Sequence, residues 1–156
     1  MFKRKRAVVN AVLCLLCVLW AGMIFFLSAQ NGEQTAAVSA GIAQKIAEII
    51  YTEPVEQQVQ AVHLGIRKLA HIGLFFIWGL LLSAAALYIA RRQRSTAVGI
   101  VAAVLVVYAF FDEWHKIFVD GRHFSFSEAV LNAVSGLAAI SRRPSGLRKT
   151  SVNYNS

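Results

Sequence analysis

Ionisable and amide side chains gather at a few places in a chain that is otherwise mostly apolar. Arg67, Lys68 and His71 stand at helical spacings and so share one face. Further along, Tyr108, Asp112 and His115 fall on a single stripe with Glu113 and Lys116 beside it, so acid and base face together. A short connection then supplies Asp120, Gly121, Arg122 and His123, its glycine suited to a tight turn. Ser125, Glu128, Asn132 and Ser135 follow at intervals of three, four and three, one polar stripe on an apolar helix.

Two chemistries suit such groups. Arg67, Lys68 and Arg122 would attract an anion, with His71, Asp112, Glu113, His115, Glu128 and Asn132 completing a ligand-binding set. Alternatively, Glu113 or Glu128 would act as base and His71 as acid in a hydrolase or transferase, and nothing in the spacing decides whether there is catalysis. Neither a metal nor a cofactor is expected. His71, His115 and His123 lack the spacing of an HExxH or comparable ligand set. Ser28, Ser125 and Ser127 lack a nucleophile elbow. A purely structural role also suits each residue singly: Asn132 bonding between helices, Glu128 pairing with a base, Asp112 and Arg122 capping helix ends. Acids, bases and an amide drawn to one depth from three helices and a loop favour a shared polar pocket.

The elements that position these groups follow from hydropathy. Of the 156 residues 57% are hydrophobic, and the mean hydropathy of +0.55 exceeds that of an ordinary soluble domain. The pattern predicts an all-α, polytopic membrane bundle of four transmembrane helices at residues 7–27, 69–90, 97–111 and 124–140. The last two are short: 15 to 17 helical residues cover about 22 to 26 Å, less than the roughly 30 Å of bilayer hydrocarbon. Asp112 and Glu128 therefore fall near a membrane boundary. A glutamate in mid-membrane costs roughly 2.5 to 3.5 kcal/mol unless partnered, so the last helix must turn its polar stripe inward.

The net charge of +8 sits in short basic blocks beside apolar runs rather than among aromatics, which reads as topology signals and argues against nucleic acid as a partner. With the N-terminus inside, Lys3, Arg4, Lys5, Arg6, Arg91, Arg92, Arg94, Arg142, Arg143, Arg148 and Lys149 are cytoplasmic. Lys45, Arg67, Lys68, Lys116 and Arg122 are then outside, eleven against five. Both termini are thus expected in the cytoplasm: a basic segment at 1–6 and a disordered basic tail at 141–156. Between the first two spans, the loop at 28–68 is expected to hold amphipathic helices. Asn31 and Gln34 cap one with Val38, Ile42, Ile46 and Ile49 on a face, Tyr51 to Pro54 break it, and Val55, Val59, Val62 and Ile66 resume the period. Cys14 and Cys17 imitate a redox CxxC, but their leucine and valine neighbours read as membrane-buried, inert thiols.

Taken in order, several of these pieces resemble the VanZ-like family of small bacterial membrane proteins. They are FLSAQ at Phe26 to Gln30, RKLAH at Arg67 to His71, DEWH at Asp112 to His115, the Gly121 and Arg122 pair, and the Glu128, Asn132, Gly136 series. The resemblance covers most of the chain, and the ordered combination is more specific than any piece. It departs from the family at Lys116, where glutamine is usual, at Asp120, where proline is usual, and at Glu128, which replaces aspartate. Lys116 stands i, i+4 from Asp112, within reach of an ion pair. The resemblance implies a multi-pass protein of the plasma membrane and cell envelope, the family being named for a member associated with low-level teicoplanin resistance. Membrane lipids or a lipid-linked peptidoglycan precursor are the partners that this implies, and homo-oligomers are left open.

Overall fold

The computed structural model describes residues 2–30, 32–51, 53–90 and 93–141, without the side chains of 2, 3, 32–40 and 94. The proposed Asn31 cap, Val38, Arg91, Arg92 and the tail from Arg142 lie outside the described residues or side chains. Among the described residues the chain is all helical: α1 (Phe2–Ala29), α2 (Gly32–Ile50), α3 (Glu56–Ile89), α4 (Arg94–His115) and α5 (Phe126–Ser141), with a 3-10 turn at Lys116–Phe118. Three stretches, Arg4–Ala29, Glu56–Ile89 and Ser95–Phe118, are long and apolar enough to cross a membrane. At 16 residues, or about 24 Å, α5 is apolar but shorter than such a crossing.

The helix boundaries differ from the sequence expectation in two informative places. The second amphipathic loop segment is not a separate helix: Glu56–Ile89 is one continuous helix of 34 residues, roughly 51 Å, well beyond bilayer thickness. Nothing between Val55 and Leu69 interrupts it except the lone Gly65. Its first turn is favoured by Glu56 at the positive dipole end and by Gln58 Oε1, which accepts from the Val55 N–H at 3.1 Å. Likewise α4 continues four residues past Phe111, because Asp112, Glu113 and His115 find partners inside the bundle. The third helix is therefore not short.

α3 is the hub on which α1, α2, α4 and α5 all pack. Against α2 the buried residues are Ala43 and Ala47, while Ile42 and Ile49 of the expected apolar face are exposed, Ile49 at 84%. Small alanines admit close helix approach, and the isoleucines are displaced to the outside by the same rotation. The core gathers Ile24, Phe75, Trp78, Leu105, Ala109, Ala133 and Ile140. Its tightest crossing joins α3 and α5, where a Cβ added at Gly79 would fall on the Gly136 carbonyl oxygen, and one at Gly136 would fall on the Leu105 side chain. Polar side chains lace the helices through backbone carbonyls. Trp78 Nε1 donates to Cys17 O at 3.0 Å, Trp20 Nε1 to Leu74 O at 3.0 Å, Tyr108 Oη to Ala21 O at 2.6 Å and Ser135 Oγ to Ile72 O at 2.7 Å.

Candidate functional site

One turn beyond the apolar core, at the end where α1 stops and α5 starts, the buried side chains become polar. Ser28, Asp112 and Glu113 are fully buried, and His115, Lys116 and Asn132 nearly so. Burial of charge on this scale requires partners, and the structure supplies one oxygen each of Asp112 and Glu113 with one. Ser28 Oγ donates to Asp112 Oδ2 at 2.9 Å and lies 3.1 Å from His71 Nε2. Lys116 Nζ is held in a short ion pair with Glu113 and reaches Glu128 Oε2 at 3.5 Å. Glu128 in turn pairs with Lys68 at 3.6 Å. The i, i+4 pair expected between Lys116 and Asp112 does not form. The turn of chain after His115 carries Lys116 toward Glu113 and α5 instead, and Asp112 is turned to Ser28 on α1.

The loop between α4 and α5 closes the site. Gly121 takes φ +72°, the left-handed conformation that favours glycine, and the reversal brings Arg122 back so that its Nη1 donates to Ser28 O at 3.0 Å. Burial, and then the neighbouring Arg67, lower the Arg122 guanidinium from its ordinary value, while Glu113, Asp112 and Glu128 act the other way. A guanidinium so placed stays charged. Ser125 starts α5, its hydroxyl 3.4 Å from the Glu128 N–H and its carbonyl accepting from Ala129 N at 3.1 Å. The first member of the expected stripe is thus the helix cap.

These elements enclose a cleft of about 390 Å³ lined by Arg67, Lys68, His71, Lys116, Arg122, His123 and Glu128, with Gln30, Gly121 and Ser125 among them. Leu27, Leu64, Ala70 and Leu74 form its apolar side. Four basic side chains therefore stand around the Glu128 carboxylate, with Lys116 also paired to the buried Glu113 behind it. The structure brings Arg67, Lys68, His71, Arg122 and Glu128 to the lining. Asp112 and Glu113 stand behind it, one through Ser28 and the other through Lys116. Asn132 is buried deeper, beside a small gap shared with Lys68, His71, Ile72, Glu128 and Leu131. His115 does not line the cleft: its ring stacks on Phe25 with centroids 4.2 Å apart, and its Nδ1 lies 2.7 Å from Asp112 O.

Three participants are absent from the ligand-binding set expected from the sequence. Ser28 stood out as part of FLSAQ and as a serine without a nucleophile elbow, Lys116 as a neighbour of the Asp112 stripe and a departure at the end of DEWH, and His123 as a loop neighbour of Arg122 and a histidine without metal-ligand spacing. None has a periodic signal of its own. Among the described residues no three His, Cys, Asp or Glu side chains form a metal-ligating group.

No curated protein and no solved structure matches the chain. A family model described as VanZ/LLP1 matches residues 13–142, which span the bundle from within α1 to the end of α5 and include every residue of the cleft. The chain that builds this cationic cleft on three long apolar helices belongs to the VanZ/LLP1 family.

Proposed function

We propose that this protein is a four-span component of the bacterial plasma membrane whose cleft binds the headgroup of an anionic lipid or lipid-linked envelope precursor. The observation that carries the reading is the lining itself: Arg67, Lys68, Lys116 and Arg122 against Glu128, with Leu27, Leu64 and Leu74 alongside. Cations attract and orient phosphate or carboxylate, while the leucines accept acyl or prenyl chain as it leaves the bilayer. The excess of basic residues beside the apolar ends of α1, α3 and α4 supports cytoplasmic termini and an outward-facing cleft. In this arrangement α5 is the fourth crossing, its short length offset by Glu128 at the interface and by Ser125 as its cap. A ligand of this class fits the cell-envelope role implied by the member for which the family is named, one associated with low-level teicoplanin resistance.

Native mass spectrometry of the purified, delipidated chain offered equal amounts of phosphatidylcholine and phosphatidic acid tests the reading. Preferential retention of phosphatidic acid is expected, and Arg67→Gln with Arg122→Gln should abolish the preference. Equal retention of both lipids by the wild-type chain would sink it. A reporter enzyme fused after Ser141 tests the topology separately, with activity expected only on the cytoplasmic side. Loss of teicoplanin tolerance in cells carrying the same double variant, at unchanged protein abundance, would connect the cleft to the phenotype.

A further inference from the structure

The cleft wall contains an ordered hydrogen-bond chain that simple anion binding does not require. Asp112, Ser28 and His71 come from α4, α1 and α3, and they join over 2.9 Å and 3.1 Å with Ser28 wholly buried between the other two. A carboxylate only accepts, so the one hydroxyl proton of Ser28 goes to Asp112. The serine oxygen then has only lone pairs to offer, and His71 Nε2 must be the nitrogen that carries hydrogen. Nδ1 is left as the bare nitrogen of a ring that lines the cleft. The order is Asp, Ser, His rather than Asp, His, Ser, and the serine is sealed from the cleft. Ser28 is thus a positioning residue, and the group with a free electron pair is the imidazole.

The surroundings of that ring select the electrophile. The charges of Lys116, Arg122 and Arg67 bear on His71 against the single opposing carboxylate of Glu128, an arrangement that neutralises the oxygens of a transferring phosphoryl group. The carboxylate at the opening, Glu128, is held between Lys68 and Lys116, so it is poorly placed to protonate a leaving alkoxide. A phosphoanhydride needs no such proton, because its leaving group departs as a stable phosphate anion.

We infer that the cleft is a phosphatase site for a lipid diphosphate, with His71 Nδ1 as nucleophile. This rests on the anionic-lipid reading above and names the substrate class. The Nδ1 lone pair forms a bond to the terminal phosphorus as the bridging P–O bond breaks, and the electron pair leaves with the lipid monophosphate. The positive charge gained by the ring is drawn through Nε2–H and Ser28 toward Asp112. Water then attacks phosphorus, the N–P bond breaks, and its electron pair returns to Nδ1. Inorganic phosphate departs with the water oxygen, and the released protons pass to solvent. Neither step consumes an oxidant or reductant.

The test uses the full chain in phosphatidylcholine vesicles with farnesyl diphosphate labelled at its terminal phosphate, and phosphatidic acid in a parallel arm. Expected are release of inorganic phosphate from the diphosphate, farnesyl monophosphate as coproduct, and a trapped label with the acid lability and alkali stability of a phosphohistidine at His71. His71→Gln should abolish both release and label. Ser28→Ala and Asp112→Asn should lower kcat about tenfold to a hundredfold with KM little changed, as expected for a misoriented nucleophile. Absence of phosphate release from wild type beside an intact phosphatidic acid preference would overturn this inference and leave the binding reading standing. Loss of the preference itself would remove both. Release undiminished in His71→Gln, or confined to phosphatidic acid, would equally overturn the assignment.

Discussion

Adjacent layers of the same helices follow opposite rules. One turn separates Ser28 from Ile24 on α1, His71 from Phe75 on α3, Asp112 from Ala109 on α4 and Asn132 from Gly136 on α5. On one side of that turn the buried groups are apolar, and the tightest contacts are limited by how closely backbones approach, as at Gly79 and Gly136. On the other side they are charged, and contact is decided by which partner each charge reaches. The apolar layer tolerates loss of a polar contact but not added volume, whereas the polar layer tolerates volume better than loss of a partner.

That contrast can be broken at four points. The largest effect is expected from Lys116→Met, which leaves Glu113 buried without its ion pair and should cost about 3 to 5 kcal/mol, read as thermal unfolding in detergent. Adding Glu113→Gln should recover most of the loss, and failure to recover would show that Lys116 contributes packing rather than charge. Next comes Gly79→Val, whose new carbons meet the Gly136 backbone: destabilisation of about 1 to 3 kcal/mol is expected by the same measurement. If Gly79→Val proved silent, the two helices would not cross as closely as the apolar layer requires. Trp78→Phe removes the indole N–H bond to Cys17 O while keeping an aromatic ring in the core, with an expected loss of about 0.6 kcal/mol. Smallest is Lys68→Ala, since its side chain is 53% exposed and Glu128 keeps Lys116: a change within about 0.5 kcal/mol is expected, with the anionic-lipid preference reduced.

Legibility in the sequence differed between the two layers for a physical reason. Apolar runs and 3.6-residue spacing report on one helix at a time, so α1, α4 and α5 were visible with their approximate bounds, and α3 from Leu69 onward. The same spacing aligned Arg67 and Lys68 with His71, and Glu128 with Asn132. It did not separate packed from unpacked apolar faces. On α2 the isoleucines have the stronger pattern, yet the alanines make the contact because they allow closer approach. Continuity of α3 through residues 55–68 was also missed, since a polar stretch interrupts hydropathy without interrupting hydrogen bonding along the helix.

By itself the sequence determined that this chain makes long apolar helices, that its cations cluster at their ends, and that a polar stripe marks the last of them. These follow from composition and local period, which survive any arrangement of the helices. Only the tertiary structure decided which charges meet. Ser28 is 43 residues from His71 and 84 from Asp112, and Arg122 is 94 from the Ser28 carbonyl. Contacts at such separations depend on the relative height and rotation of α1, α3 and α4, which are set in the apolar layer below by the close approach at Gly79 and Gly136 and by the bonds of Trp78, Trp20 and Tyr108 to backbone carbonyls. The chemistry of the polar layer therefore rests on packing that its own residues do not encode.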